Sequence, residues 1–186
     1  MKQQILVILI MSSSLQAVIP SDCLISVTPH WENIESSCKH EKEFCSKWML
    51  VGSITFRKKS KEKTKLETMR LSWHGKHIAH LDGSLYKTIP GKKFLPLEEN
   101  LVSDSSWNAT RQELILNFQD NKQTLGPISI FYLVLTVPDT IQSTLKQGHF
   151  SLVKQALPTC FQPQAEKLTI DLAQLTKKDQ NISVRT

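Results

Sequence analysis

Along most of this chain, apolar residues recur at every second position rather than at helical spacing. Cys23, Ile25 and Val27 alternate with Leu24, Ser26 and Thr28, and Trp48, Leu50, Ile54 and Phe56 are assigned to one face of the next run. Met69, Leu71 and Trp73 share a face, as do Leu114, Leu116 and Phe118, opposite Glu113 and Asn117. Leu168, Ile170 and Leu172 alternate with Thr169 and Asp171. Period-two alternation marks strands with one buried face. Residues 128–137 are apolar on both faces and rich in β-branched and aromatic types, which predicts a strand inside a sheet. Shorter strands are expected at 85–88 and 150–153, and Pro90-Gly91, Asp120-Asn121 and Pro138-Asp139 read as turns. The expected fold is mainly β, an antiparallel β-sandwich of about eight strands with one or two short helical turns. One such turn is placed within residues 33–44. Leu168, Leu172 and Leu175 also suit a helix over 166–175, but the strand reading is retained there.

The first seventeen residues stand apart from this pattern. Lys2 gives a positive start, residues 5–11 are an unbroken apolar run, and Leu15-Gln16-Ala17 suits cleavage. That order is a secretory signal peptide. The expected organisation is therefore a signal peptide at 1–17, a single β-sandwich domain at 18–176 and a flexible polar tail at 177–186. The apolar runs at 5–11 and 128–137 fall far short of the roughly 20 residues that span a bilayer. No transmembrane span is expected, and the chain is expected to be exported, periplasmic or secreted. Ile19-Pro20-Ser21-Asp22 lacks the small residues that would precede a lipid-modified Cys23. The formal charge of +6 falls to +5 when Lys2 leaves, enough to draw acidic partners only weakly.

In an exported chain, an even number of cysteines reads as a disulfide framework. The favoured pairing is Cys38–Cys45 with Cys23–Cys160. The first closes a short polar loop and is worth about 2.5 kcal/mol in the chain-entropy model; the second ties the first strand to a segment near the end and is worth about 5 kcal/mol. No C-x-x-C pair is present, which argues against a thiolate metal site.

The densest charge run is Arg57, Lys58, Lys59, Lys61, Lys63 and Lys65, interrupted by Ser60, Glu62 and Thr64. Its place between two strand patterns predicts the exposed tip of a long hairpin. The favoured reading is a solvated tip whose lysines guard against edge pairing; the alternative is contact with an anionic surface. No aromatic residue interleaves the run, so a stacking platform for nucleic acid is not supported, and export points the same way. His74, His77 and His80 are spaced by three. In an extended segment His77 points away, and His74 and His80 lie about 20 Å apart, so surface histidines are expected and no metal site. The segment 94–108 is the longest irregular stretch and reads as a crossover loop between the sheets, with Trp107 over the core edge. Its neighbouring Glu98 and Glu99 point to opposite sides and cannot act as a catalytic pair. Asn108-Ala109-Thr110 and Asn181-Ile182-Ser183 match the glycosylation acceptor pattern, which matters only in a eukaryotic host. No nucleophile elbow, P-loop, zincin helix or dinucleotide turn is present. His40 lies near Cys38 and Cys45, but a disulfide there would remove the nucleophile.

From residue 104 to 152, Asp104-Ser105-Ser106-Trp107-Asn108, the strand at 113–118, the central strand ending at Pro138-Asp139 and then Gly148-His149-Phe150-Ser151-Leu152 follow in an order that resembles a C2-type β-sandwich. The resemblance implies lipid or protein binding through loops at one end. The calcium pattern is missing, since Thr140-Ile141 follows Asp139, so the membrane binding it implies is calcium-independent and basic. The expected function is a non-enzymatic binding or structural module, with no cofactor, no catalytic residues and a protein, glycan or lipid partner. The alternatives are a surface factor that touches anionic membrane through 57–65 and a small secreted hydrolase. Clustering of Asp82, Asp104 and the histidines in one concave pocket would favour the hydrolase.

Overall fold

A computed structural model of the chain describes residues 22–36, 46–88, 94, 96–120, 124–162 and 168–173. The expected signal peptide at 1–17, Cys38, Cys45, Pro90-Gly91, the Asn181 acceptor pattern and the expected tail at 177–186 lie outside the described residues. The architecture is a mainly antiparallel β-sandwich. The first sheet has the order β1 (Cys23–Ser36), β2 (Ser46–Lys58), β9 (Ile128–Pro138), β5 (Asp82–Thr88). The second has the order β11 (Thr169–Asp171), β10 (His149–Leu152), β4 (Thr68–His74), β7 (Glu113–Phe118), β6 (Ser103–Asn108). Two-residue strands β3 (Thr64–Lys65) and β8 (Thr124–Leu125) form a small ladder of their own. Among the described residues, no helix is long and apolar enough to cross a membrane.

The alternating residues fill one core between the sheets. Met69, Leu71 and Trp73 from β4 meet Leu114, Leu116 and Phe118 from β7, and Phe131, Leu133, Leu135 and Val137 face them from β9, all buried. Phe131 is held edge-on by Phe56 at 5.8 Å and Phe118 at 5.2 Å, and Phe161 meets Phe56 at 5.0 Å and 89°. Edge-to-face packing of this kind adds to the burial of each ring. Strand β9 lies between β2 and β5, as its apolar character on both faces predicts.

Cys23 and Cys160 are bridged, with 5.7 Å between Cα atoms, a normal span for a disulfide. The bond ties β1, at the edge of the first sheet, to a 3-10 turn at Thr159–Phe161.

Several local expectations are corrected. Trp48 and Leu50 do not share a face with Ile54 and Phe56. The register between β2 and β9 shifts between Leu50 and Gly52, so Val51 is an extra residue and every side chain beyond it changes face. Residues 103–108 form an edge strand, not a loop. Ser103 is buried, and its Oγ accepts from the Leu85 amide at 3.0 Å, so a hydroxyl supplies there what a hydrophobic side chain would not. The crossover part of that reading holds, because the chain passes from β5 in one sheet to β6 in the other. Pro138-Asp139 opens a helix, α1 (Asp139–Leu145), rather than a simple turn. Asp139, in its first turn, accepts from the Gln142 side chain through Nε2 at 2.7 Å and pairs with Lys47 at 3.0 Å. Residues 33–36 belong to β1 and form no helical turn.

Candidate functional site

The two outer faces of the sandwich differ. On the second sheet polar outer side chains pair across strands: Thr68 Oγ1 donates to Asn117 at 3.3 Å, and Arg70 pairs with Glu113 at 2.5 Å, though its buried Nε finds no partner among the described residues. This is the ordinary solvated face of an antiparallel sheet. On the first sheet, the outer face carries a second apolar cluster. Leu50, Tyr86 and Val134 are buried there, and Ile34, Trp48, Phe94, Leu101 and Tyr132 pack around them.

Irregular strand pairing builds the site. Pro29 pairs with Gly52 and Glu32 with Leu50, so His30 and Trp31 stand opposite the single residue Val51. The extra residue in β1 therefore lies beside the extra residue in β2, where bulges re-aim side chains. His30 is turned onto the outer face, with Nε2 3.5 Å from Ser53 Oγ and its ring 6.4 Å from that of Tyr132. Trp31 instead packs against the main core, with the Lys146 ammonium 5.3 Å above its ring. Phe94, from the segment after β5, lies flat on Tyr132 at 4.4 Å and 22° and meets Tyr86 edge-on at 6.0 Å.

Beside the Phe94–Tyr132 stack is a cleft of about 390 Å³, within the size range of ligand sites. His30, Leu50, Phe94 and Tyr132 form its floor and walls, with Glu32, Asn33, Ile34 and Pro96 completing the lining. Burial lowers the His30 pKa below its usual value, against a smaller upward pull from Glu32. The imidazole is therefore neutral at pH 7 and offers one donor and one acceptor. Burial raises the Tyr86 phenol, which stays protonated. Among the described residues, no lysine or arginine lines the cleft. It can hold a flat, uncharged ligand by ring contact and hydrogen bonds, and its described lining sets the Glu32 carboxylate against an anion.

The basic run is at the opposite end of the same sheet and is not a hairpin tip. Strand β2 pairs with β1 and β9, whereas β4 pairs with β10 and β7, so residues 59–67 cross between sheets. Lys58 is buried and turned inward, donating from Nζ to the Glu62 carbonyl and, at 3.5 Å, to Thr64 Oγ1. It ties down the crossover and cannot contact a surface. Arg57, Lys59, Lys61, Lys63 and Lys65 are exposed. Cross-strand pairing sets Arg57 between Leu24 and Ile128, the first 50% and the second 45% exposed. This row lies about 20 Å along β1 from His30 at strand rise.

The histidine series is dispersed. His74 bonds Ser151 at 2.7 Å, His80 pairs with Asp82 at 3.0 Å, and His77 is exposed. Among the described residues, no three histidine, cysteine, aspartate or glutamate side chains converge as metal ligands. Neither the aromatic cleft nor a second one of about 300 Å³, between residues 65–68 and 155–158, takes in Asp82, Asp104 or these histidines. Sequence reasoning missed His30, Tyr86 and Tyr132 as site residues. The signal available was the two-sided apolar character of 128–137, since a strand at the surface needs no apolar outer face unless something covers it. Phe94 was at least within the segment singled out for its length. Comparison of the chain with protein-family models, curated proteins and solved structures finds no match.

Proposed function

We propose that this chain is an exported, disulfide-tied β-sandwich that works without catalysis, as a binding module for a neutral glycan held in the aromatic cleft. The observation that carries the reading is the stacked Phe94–Tyr132 pair beside a neutral His30, on a sheet face that water would otherwise cover. Aromatic faces accept the apolar C–H face of a sugar ring. His30 and Asn33 supply hydrogen bonds at the edge, and Glu32, the charged side chain among the described lining residues, disfavours acidic ligands. The Cys23–Cys160 bridge supports a life in an oxidising compartment. The test is a panel of neutral and acidic oligosaccharides titrated against the exported chain and read by fluorescence of Trp48 at the cluster margin. Saturable binding of a neutral sugar that Tyr132→Ala abolishes is expected. Binding only to acidic sugars, or binding that survives Tyr132→Ala, refutes the proposal.

A second reading rests on the Leu24–Arg57–Ile128 row. Two exposed apolar side chains flanking a cation, beside four exposed lysines, suit shallow contact with an anionic membrane. It keeps the C2-like expectation of a calcium-independent basic surface. Cosedimentation with phosphatidylserine vesicles at physiological salt, lost on Leu24→Ser with Ile128→Ser, is the expected result. Equal sedimentation with neutral vesicles would exclude it.

A further inference from the structure

We propose that His74 and His149 form a surface site for a divalent transition metal of the kind that prefers imidazole, copper(II) or zinc(II). The two residues are direct cross-strand partners on β4 and β10, where opposed Cβ atoms lie about 4.5–5.5 Å apart. Their rings stack at 4.8 Å between centroids with planes 21° apart. Two metal–nitrogen bonds of about 2.0–2.1 Å span at most about 4.2 Å. A small rotation of one ring therefore brings a nitrogen from each to one ion.

The surroundings suit a ligand pair. Ser151 Oγ lies 2.7 Å from His74 Nε2. In the tautomer with Nε2–H donating to that hydroxyl, Nδ1 carries the lone pair that would ligate the metal. On the other side of β10, Asp171 pairs in register with His149 and places a carboxylate in the same cross-strand row, while its Oδ1 accepts from the Ala173 amide at 3.0 Å. His74 is exposed and His149 half-buried, so the site is open to solvent and water completes the coordination. Imidazole selects copper, nickel and zinc over magnesium, and copper binds most tightly in the series. The site is independent of the glycan reading, because none of its residues lines the aromatic cleft.

The experiment is equilibrium dialysis of the exported chain against copper(II), zinc(II) and magnesium, with electron paramagnetic resonance of the copper form. Expected are one bound copper with nitrogen hyperfine coupling, weaker zinc and no magnesium. Ser151→Ala should weaken copper binding by about tenfold, the usual effect of losing a group that orients a ligand, and His74→Gln or His149→Gln by more. Circular dichroism without metal checks that each variant folds. Parent-like affinity in either histidine variant overturns the proposal. So does loss of binding in His77→Gln or His80→Gln instead, or no copper bound to the parent chain.

Discussion

Removing the Cys23–Cys160 bridge is the most telling perturbation of this fold. The two cysteines are 137 residues apart in sequence, so the bond constrains nearly the whole described chain. In the chain-entropy model a loop of that size is worth about 5 kcal/mol. Domains of this kind are stable by about 5–15 kcal/mol in total, so the bridge supplies a third or more of what keeps the sandwich closed. The local geometry points the same way. The bond joins an edge strand, paired on one side to β2, to a 3-10 turn whose Phe161 is buried against Phe56. The perturbation is Cys23→Ala with Cys160→Ala, read by urea unfolding through the four tryptophans. With a urea m-value of about 2.5 kcal/mol/M, the midpoint should fall by about 2 M. Chemical reduction of the parent chain also opens any Cys38–Cys45 bond, so the double variant isolates the long-range bridge. A midpoint within about 0.3 M of the parent would refute the argument, since a midpoint is proportional to stability at constant m.

Gly148→Ala should destabilise by about 1–3 kcal/mol, the range for an overpacked core, because a Cβ there would lie 2.4 Å from Trp73 Cη2 and 2.6 Å from the His74 carbonyl. Gly126→Ala, whose Cβ meets nothing nearer than 3.6 Å, is the control and should stay within about 0.5 kcal/mol by the same urea assay. Lys58→Gln should cost about 1–3 kcal/mol through the lost charged hydrogen bonds of the crossover, whereas Lys61→Gln, on an exposed side chain, should be neutral to about 0.5 kcal/mol; equal effects on thermal midpoints would contradict the inward placement of Lys58. His30 has a folded pKa below its usual 6.5, so the unfolded chain binds its proton first. Its contribution to stability is therefore full above pH 6.5 and is lost as pH falls through the lowered folded value. His30→Gln should flatten that segment of the stability–pH curve, and an unchanged slope would count against burial as the cause.

The strands were legible wherever alternation ran uninterrupted. Met69, Leu71 and Trp73, and Leu114, Leu116 and Phe118, keep one face over a whole strand, and period two is all that geometry requires. The long-range disulfide was legible too, from parity and from the position of Cys160 beyond the last long strand. Strand β2 was only half legible, because a bulge leaves no local signature: nothing in Leu50-Val51-Gly52 announces that Val51 is the extra residue. Strand β6 was lost because Ser103, Ser105 and Ser106 carry little hydrophobic signal, and its pairing is fixed by β7 and the Ser103 bond to β5. The run at 57–65 was read as lying between two strands, whereas Arg57 and Lys58 end β2 and Thr64 and Lys65 form β3; a connection between sheets and a hairpin tip have the same composition. What separates them is which partners β2 and β4 choose, and that is settled by contacts distant in sequence.

The cleft was the least legible feature because no segment contains it. His30 comes from β1, Leu50 from β2, Tyr132 from β9 and Phe94 from beyond β5, and only the strand order brings them together. The register irregularities of β1 and β2 also fall at this end of the sheet, and a regular ladder would have carried alternation through unchanged. Closing the core alone does not call for them. Trp48 and Leu50 could have stayed in phase with Ile54 and Phe56 and enlarged the main core. The bulge at Val51 instead sends Leu50 outward, to join Tyr86 and Val134 under the stacked rings. Stability gained by burying those side chains beneath Phe94 and Tyr132 is smaller than full enclosure would give, since both rings remain only half-buried. A strand pair that gives up regular pairing at one place gains an aromatic cleft there, and on that cleft the proposed binding function rests.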